Sequence, residues 1–214
     1  MSLSIADIRK DYQLAALSED TVESHPVDQF RNWWHAAVDS RIDEVNAMTL
    51  ATASSDGLPS ARIVLLKGFD ENGFMFFTNY NSYKGQQLQD NPRACLVFFW
   101  KELERQVRIT GLVSKASEVE SDQYFLSRPK ASRVGAVVSP QSQVITGREW
   151  LEGQYLALSE QHKETEIARP AHWGGFIVKP ISIEFWQGRP SRLHDRIQYT
   201  MDEKGSWIIE RLAP

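Results

Sequence analysis

Cys95 is the single cysteine in 214 residues, which excludes an intrachain disulfide and any multi-cysteine zinc site. It lies in the apolar run ACLVFFW, where a buried thiol is the expected state. Long hydrophobic runs are missing as well: none approaches the roughly 18 residues that cross a bilayer. The N-terminal MSLSIADIRKDYQ has no charged stretch leading into an apolar core. These absences predict a cytoplasmic protein with no membrane contact. Positive charge is also in deficit, with a formal net charge of −4, which argues against a broad nucleic-acid-binding face and makes any basic cluster local. Neither G-x-G-x-x-G after a strand nor G-x-x-x-x-G-K-[ST] occurs, so no dinucleotide cradle and no P-loop is readable. The histidines, at 25, 35, 162, 172 and 194, lack metal-site spacing. His194 and Asp195, being adjacent, would face opposite sides of a strand, which counts against a Ser-His-Asp arrangement.

What is present is an ordinary globular composition, 42% hydrophobic and 24% charged, with no repeat, low-complexity segment or long linker. We read one domain over 1–214. Seven tryptophans serve as core or interface anchors or, more pointedly, as a surface for a flat aromatic ligand. Residues 3–14 and 26–44 read as helices, the second with Val27, Phe30, Trp34 and Ala37 at helical spacing after Pro26. From Met48 come two hairpins, MTLATA with PSARIVLLKGF and then FMFFTN, separated by the turn signals SSDG and DENG. A short helix over 82–90 precedes a further antiparallel pair, ACLVFFWK and ERQVRITGLVSKA. Helices are expected over 117–138 and 147–163, followed by a loop closed by Gly174 and Gly175. Strands return in FIVKPISIEFWQG, RLHDRIQYTM and SWIIERLAP. The fold class is therefore mainly β with α, an antiparallel barrel interrupted by helices.

Chemistry is suggested by anion-binding groups clustered on β elements. In RLHDR, alternation would put Arg192, His194 and Arg196 on one strand face, either as charge protecting an exposed edge or as an anion site. In RIVLLK, Arg62 and Lys67 are five apart and fall on opposite faces of a regular strand, so either the strand bends or the two serve different groups. TNYNSYKG brings Thr78, Ser82 and Lys84 to a helix start that favours phosphate, although serine there is also an ordinary cap. Gln106 in ERQVRITG, Arg128, Lys130 and Ser132 in SRPKAS, and Gln141 and Ser142 in PQSQ add hydrogen-bonding groups. Several such clusters in an acidic protein point to one or two phosphorylated ligands.

In the order RIVLLKGFDENGFMFFTNYNSYKG, ERQVRITG, YFLSRP, VVSPQSQ, HWGGF, IEFWQGRPSRLHDR and ERLAP, these segments resemble the pyridoxamine 5′-phosphate oxidase family over nearly the whole chain. The resemblance implies an FMN-binding split β-barrel with flanking helices, forming a homodimer with FMN at the subunit interface. By position, Arg62, Ile63, Val64, Leu65, Leu66 and Lys67 would run beside FMN, with Arg62, Lys67 and Lys84 near its phosphate end. Phe77, Thr78, Gln106, Gln141, Ser142, Trp173 and Arg196 match the family's other flavin contacts. Tyr83 stands where the family usually has an arginine, supplying one hydrogen bond but no charge. Lys67, Tyr124, Arg128 and Ser132 would hold the substrate phosphate. Arg192 and His194 would be the catalytic pair at the pyridine ring. By the same resemblance Arg9 and Tyr12 would belong to a mobile N-terminal segment, 1–20, that can close over the site, and 172–214 would complete the active site. The implied reaction takes pyridoxine 5′-phosphate or pyridoxamine 5′-phosphate to pyridoxal 5′-phosphate by hydride transfer to FMN. Oxygen then yields hydrogen peroxide, and the amine substrate releases ammonia. A flavin enzyme for another substrate, or a non-catalytic binder of FMN or a B6 phosphate, are the competing readings.

Overall fold

The computed structural model describes Ile5 and residues 11–214. Its strands form one sheet in the hydrogen-bonded order β2-β1-β5-β6-β7-β4-β3, with β8 on β7 and β9 on β8. They are β1 (Ala47–Ala53), β2 (Pro59–Leu65), β3 (Gly68–Asp70), β4 (Gly73–Asn79), β5 (Arg93–Trp100), β6 (Arg105–Lys115), β7 (Trp173–Gln187), β8 (Asp195–Met201) and β9 (Trp207–Arg211). The helices are α1 (Pro26–Asp39), α2 (Tyr83–Asp90), α3 (Glu118–Ser127), α4 (Lys130–Val138) and α5 (Arg148–Gln161). The mainly β class with helices is as expected. The chain gathers into two compact units, one made of residues up to Thr49 with Cys95–Gly111 and Pro180–Pro214, the other of Leu50–Ala94 and Leu112–Lys179.

In the first unit α1 begins at Pro26, with the His25 ring accepting from the Val27 N–H. Its apolar face buries Val27, Phe30, Trp33 and Ala37. Trp33 thus takes the buried position, against Phe185 at 5.2 Å between ring centroids, and Phe30 meets Phe98 at 5.2 Å. Each such fully buried aromatic contributes roughly 1.5–3 kcal/mol. The helix ends at Asp39, short of the expected 44, and Arg41 and Glu44 adopt left-handed backbone. In β5 the alternation buries Ala94, Leu96, Phe98 and Trp100, which leaves Cys95 on the other face and only half-buried. β7, β8 and β9 pair antiparallel, Phe185 opposite Ile197 and Tyr199 opposite both Ile183 and Ile209.

Of the expected helix 3–14, residues 11–14 are irregular. Buried Glu104 accepts from the N–H groups of Gln13 and Leu14, and Asp195 accepts from that of Leu17. RLHDR is not one strand: Pro190–Arg192 forms a 3₁₀ turn, with Ser191 and Arg192 at φ of 56° and 62°, and β8 starts only at Asp195. The shared strand face expected for Arg192, His194 and Arg196 therefore does not form.

In the second unit, β4 pairs with β7 so that Phe76 faces Phe176 and Phe77 faces Gly175. The strand β7 begins at Trp173, so the glycines expected to close a loop lie inside it. The expected helix 117–138 is two helices, because Pro129 drives Arg128 into extended backbone (φ −74°, ψ 149°) and ends α3. α3 itself starts with a reciprocal Ser117/Glu120 capping box. Phe125, Val134, Ile167 and Trp173 form the core beneath α3 and α4.

Ser82 caps α2 by accepting from the Gly85 N–H, while its hydroxyl donates to the Asn79 carbonyl at 2.6 Å. A Cβ on Gly85 would stand 2.1 Å from the Tyr80 carbonyl oxygen. Gly85→Ala is therefore expected to destabilise the protein by roughly 1–3 kcal/mol through forced backbone shifts, read as a lowered urea midpoint at fixed protein concentration. An unchanged midpoint would show that the turn accommodates a methyl group.

Candidate active site

β2 carries Arg62 to Leu65 and stops. Leu66 then turns inward, 4% exposed, and the Lys67 N–H donates to the Met75 carbonyl at 2.8 Å. This interruption resolves the opposite-face problem, since Arg62 and Lys67 both border one cavity of about 720 Å³. Ile63, Val64 and Leu65 line it between them. β4 adds Phe77, Thr78 and Asn79, and α2 adds Lys84. The α3–α4 junction adds Tyr124, Arg128, Pro129 and Ser132, and Gln141 and Trp173 complete the wall. All these residues belong to the second unit.

Among the described residues, four cations and no carboxylate line this space. Lys84 is buried, with its Nζ donating to Thr78 Oγ1 at 3.3 Å. Burial, and then the neighbouring Arg62 charge, lower its pKa from the ordinary lysine value. Burial lowers the pKa of Arg62 and Arg128 as well, although both stay charged. Arg62 is fixed by donation to the Leu50 carbonyl, Thr52 Oγ1 and Ser60 Oγ. The Arg128 guanidinium lies 4.7 Å from the Trp173 ring, and its Nη1 is buried with no hydrogen-bond partner among the described residues. A buried donor left unused costs about 1–3 kcal/mol, more when charged, so these groups favour an arriving anion. Flat surfaces stand beside them: Phe77 stacks on Tyr124 at 4.0 Å and 22°, and Trp173 lies nearly parallel to both. The carboxylate-free pair Arg62 and Lys84 fits a phosphorylated cofactor such as FMN, and the unused Arg128 donor leaves room for a second phosphate.

Other expected site residues lie outside this cavity lining. Leu66 is core, Tyr83 is half-exposed at the start of α2, and Ser142 is exposed with φ 71°. Gln106 is half-buried in β6. Arg196 donates through Nε to Glu184 at 2.8 Å and through Nη1 to the Ala213 carbonyl, and the Glu184 pairing raises its pKa. Glu184 also accepts from Arg108 at 3.0 Å. Arg192 is exposed in its left-handed turn. Arg9 lies outside the described residues.

His194 forms a second cluster, with Trp186 at 4.6 Å and Tyr12 at 6.0 Å. The Arg189 N–H donates to His194 Nδ1 at 3.1 Å, so a neutral ring carries its proton on Nε2 and offers it as a donor. Tyr12 seats over Gly188, where any Cβ would meet its ring at 2.7 Å. Residue-level reading missed Asn79, Pro129 and Trp186. The first two simply follow named residues in sequence, and Trp186 sits in the quoted motif FWQG.

Two family models match the chain: "Pyridoxamine 5′-phosphate oxidase" over residues 35–162 and "Pyridoxine 5′-phosphate oxidase C-terminal dimerisation region" over 173–214. The pyridoxine/pyridoxamine 5′-phosphate oxidase of Trichormus variabilis is 58% identical over the full length of both chains. That of Salinibacter ruber is 53% identical over 98% of this chain and 99% of its own. Among solved structures, PhzG from Burkholderia lata, in complex with tetrahydrophenazine-1-carboxylic acid, is similar with a TM-score of 0.88 and 29% identity, over 94% of this chain and 99% of that one. A pyridoxamine 5′-phosphate oxidase-related, FMN-binding protein from Nostoc punctiforme shares the fold, with a TM-score of 0.70 and 18% identity over 86% and 97% of the two chains. Among the described residues no helix is long and apolar enough to cross a membrane.

The lowered pKa of Lys84 has a measurable consequence. The charged ammonium attracts a phosphate, so affinity is present at low pH and falls as pH rises through a value below the ordinary lysine range. Titration calorimetry with inorganic pyrophosphate across pH should show this decline. Lys84→Arg, which cannot deprotonate in that range, should flatten it; a decline unchanged in that variant would assign the titration to another group.

Proposed function

The chain belongs to the pyridoxamine 5′-phosphate oxidase family, and from that premise we propose that it oxidises pyridoxine 5′-phosphate or pyridoxamine 5′-phosphate to pyridoxal 5′-phosphate, with FMN bound and O₂ as final acceptor. The observation that carries this reading is the carboxylate-free cavity with four cations, an unused Arg128 donor and a parallel aromatic wall. The reaction balances as alcohol plus O₂ giving aldehyde plus H₂O₂. For the amine, one water is consumed in addition and ammonia is released. When bound, FMN supplies the two-electron acceptor that O₂ regenerates.

Arg62, Lys84 and Thr78 would hold the cofactor phosphate, with Ile63, Val64, Leu65 and Phe77 along its length. Lys67, Tyr124, Arg128 and Ser132 would take the substrate phosphate, each charge-assisted bond contributing about 1.5–3 kcal/mol. His194, with its Nε2 proton available, would donate to a substrate oxygen. Arg192, in its left-handed turn, would orient the ring. Its guanidinium is a poor base, so water accepts the hydroxyl proton of the alcohol substrate. The chain works as a homodimer in this reading, with Gln106, Gln141, Ser142, Trp173 and Arg196 completing the flavin contacts and Tyr12 covering the substrate. Its place of action is the cytoplasm, in synthesis and salvage of pyridoxal phosphate.

Anaerobic addition of pyridoxine 5′-phosphate to FMN-loaded protein should bleach the visible flavin band. Bound flavin that does not bleach with either phosphorylated substrate would sink the oxidase reading and leave a binder. Arg192→Ala should retain FMN while turnover falls by roughly 100-fold, the scale of a substrate misplaced by about 1 Å. Unchanged turnover would remove Arg192 from the reaction.

A further inference from the structure

Arg62 is held by a directed chain of hydrogen bonds that ends on a residue outside the cavity. Its Nη1 donates to Thr52 Oγ1 at 2.6 Å and its Nη2 to Ser60 Oγ at 2.5 Å. A guanidinium only donates, so both hydroxyl oxygens act as acceptors toward it, and each hydroxyl proton must point elsewhere. Both reach the same atom: Gln87 Oε1 accepts from Thr52 at 2.6 Å and from Ser60 at 2.7 Å. This polarity also fixes the amide orientation. A flipped amide would present N–H groups to hydroxyls already accepting from Arg62 and would leave at least one hydroxyl proton without an acceptor, since Thr52 and Ser60 offer each other only one long contact of 3.4 Å. In this orientation Gln87 is 3% exposed and its Nε2 is buried with no partner among the described residues. The site therefore tolerates an unsatisfied buried donor in order to keep a doubly accepting oxygen beneath Arg62.

Gln87 lies on α2, one turn beyond Lys84. It thus ties the helix that carries one cavity cation to the strands β1 and β2, the second of which carries the other. The Arg62 charge lowers the Lys84 pKa, so the two cations repel each other and an unconstrained pair would move apart. Leu50, Thr52 and Ser60 take three of the five guanidinium donors, leaving Nε–H and one Nη2–H for a ligand.

We infer that Gln87 is a positioning residue for the phosphate group of the cofactor: through Thr52 and Ser60 it sets the direction of the two remaining Arg62 donors and the spacing of Arg62 from Lys84. This inference rests on the reading that Arg62 and Lys84 hold that phosphate.

The test compares FMN with riboflavin, which lacks the phosphate, by flavin fluorescence titration of protein stripped of cofactor. In Gln87→Met, of similar size but without the accepting oxygen, the FMN dissociation constant should rise about tenfold, the scale of one lost charge-assisted bond. That for riboflavin should stay within about twofold, so the preference for FMN collapses. The Thr52→Val/Ser60→Ala double variant should lose the preference in the same way, and adding Gln87→Met to it should change nothing further. Lys84→Met tests the underlying reading. If Lys84→Met lowers the FMN preference but Gln87→Met does not, the role of Gln87 is overturned while the phosphate site stands. If Lys84→Met leaves the preference intact, the phosphate reading fails and the inference falls with it. Equal weakening of FMN and riboflavin in Gln87→Met would make the residue a general packing element and overturn the inference. Should Gln87→Met fail to fold, the double variant decides by the same ratio.

Discussion

Uncompensated positive charge at the cavity is the constraint on which the surrounding structure depends. Arg62, Lys67, Lys84 and Arg128 border it without a carboxylate among the lining residues, and burial lowers the pKa of three of them. Holding such groups together works against the stability of the free protein. The cost is contained because each group is fixed locally: Arg62 by two hydroxyls and a carbonyl, Lys84 beside Thr78 and the Ser82 cap, Arg128 over Trp173. An anionic ligand then supplies the missing partner. A ligand present at 100 times its dissociation constant adds about 2.7 kcal/mol to stability, a large part of a typical folding free energy. Retention of a bound anion and resistance to unfolding would therefore be coupled.

Interruptions of regular structure position the cavity cations. The break after Leu65 lets Arg62 and Lys67 share a space that an unbroken strand would deny them. Pro129 stops α3 at the residue that carries the unpaired guanidinium nitrogen and starts α4 with Ser132 in its first turn. In the first unit, Pro190 precedes two left-handed non-glycine residues. Each such residue typically costs of order 1–3 kcal/mol and persists only where its surroundings enforce it. Here they do: Asp11 accepts from the Ser191 N–H, and the Arg189 N–H is engaged by His194.

This explains which parts of the molecule were legible in the sequence. The hairpins, α2 and the alternation in β5 follow from periodicity, because their side chains obey the period of a regular element. Most side chains bordering the cavity were singled out, Asn79 and Pro129 excepted, but their mutual placement was not, since it depends on where regularity fails. The proline in SRPK carried enough information to split 117–138 into two helices, so that error was avoidable. The turn after RIVL, and the left-handed Ser191 and Arg192, carry no comparable local signal. They are set by tertiary partners such as the Met75 carbonyl and Asp11. Gln87 was invisible for the same reason, because its role arises only where α2 meets β1 and β2.

A chain with 24 basic and 28 acidic residues does not reveal by composition which arginines bind ligands, whereas their partners do. Arg105 is used on Gln187 and Trp33, Arg108 and Arg196 on Glu184, Arg133 on Glu166, Arg169 on Glu118 and Asp122, and Arg211 on Glu19 and Asp195. The last pairing is strong enough to hold the Glu19 carboxyl at about 2. Among the described residues, none of the four cavity cations has a carboxylate within ion-pair distance. Acidic side chains thus neutralise the arginines that hold the fold, and their exclusion from one cavity leaves its field free to act on a phosphate. The same segregation lets a protein of net negative charge attract an anion locally: the attraction is confined to a short-range, partly desolvated site, where it is screened by salt far less than at the surface.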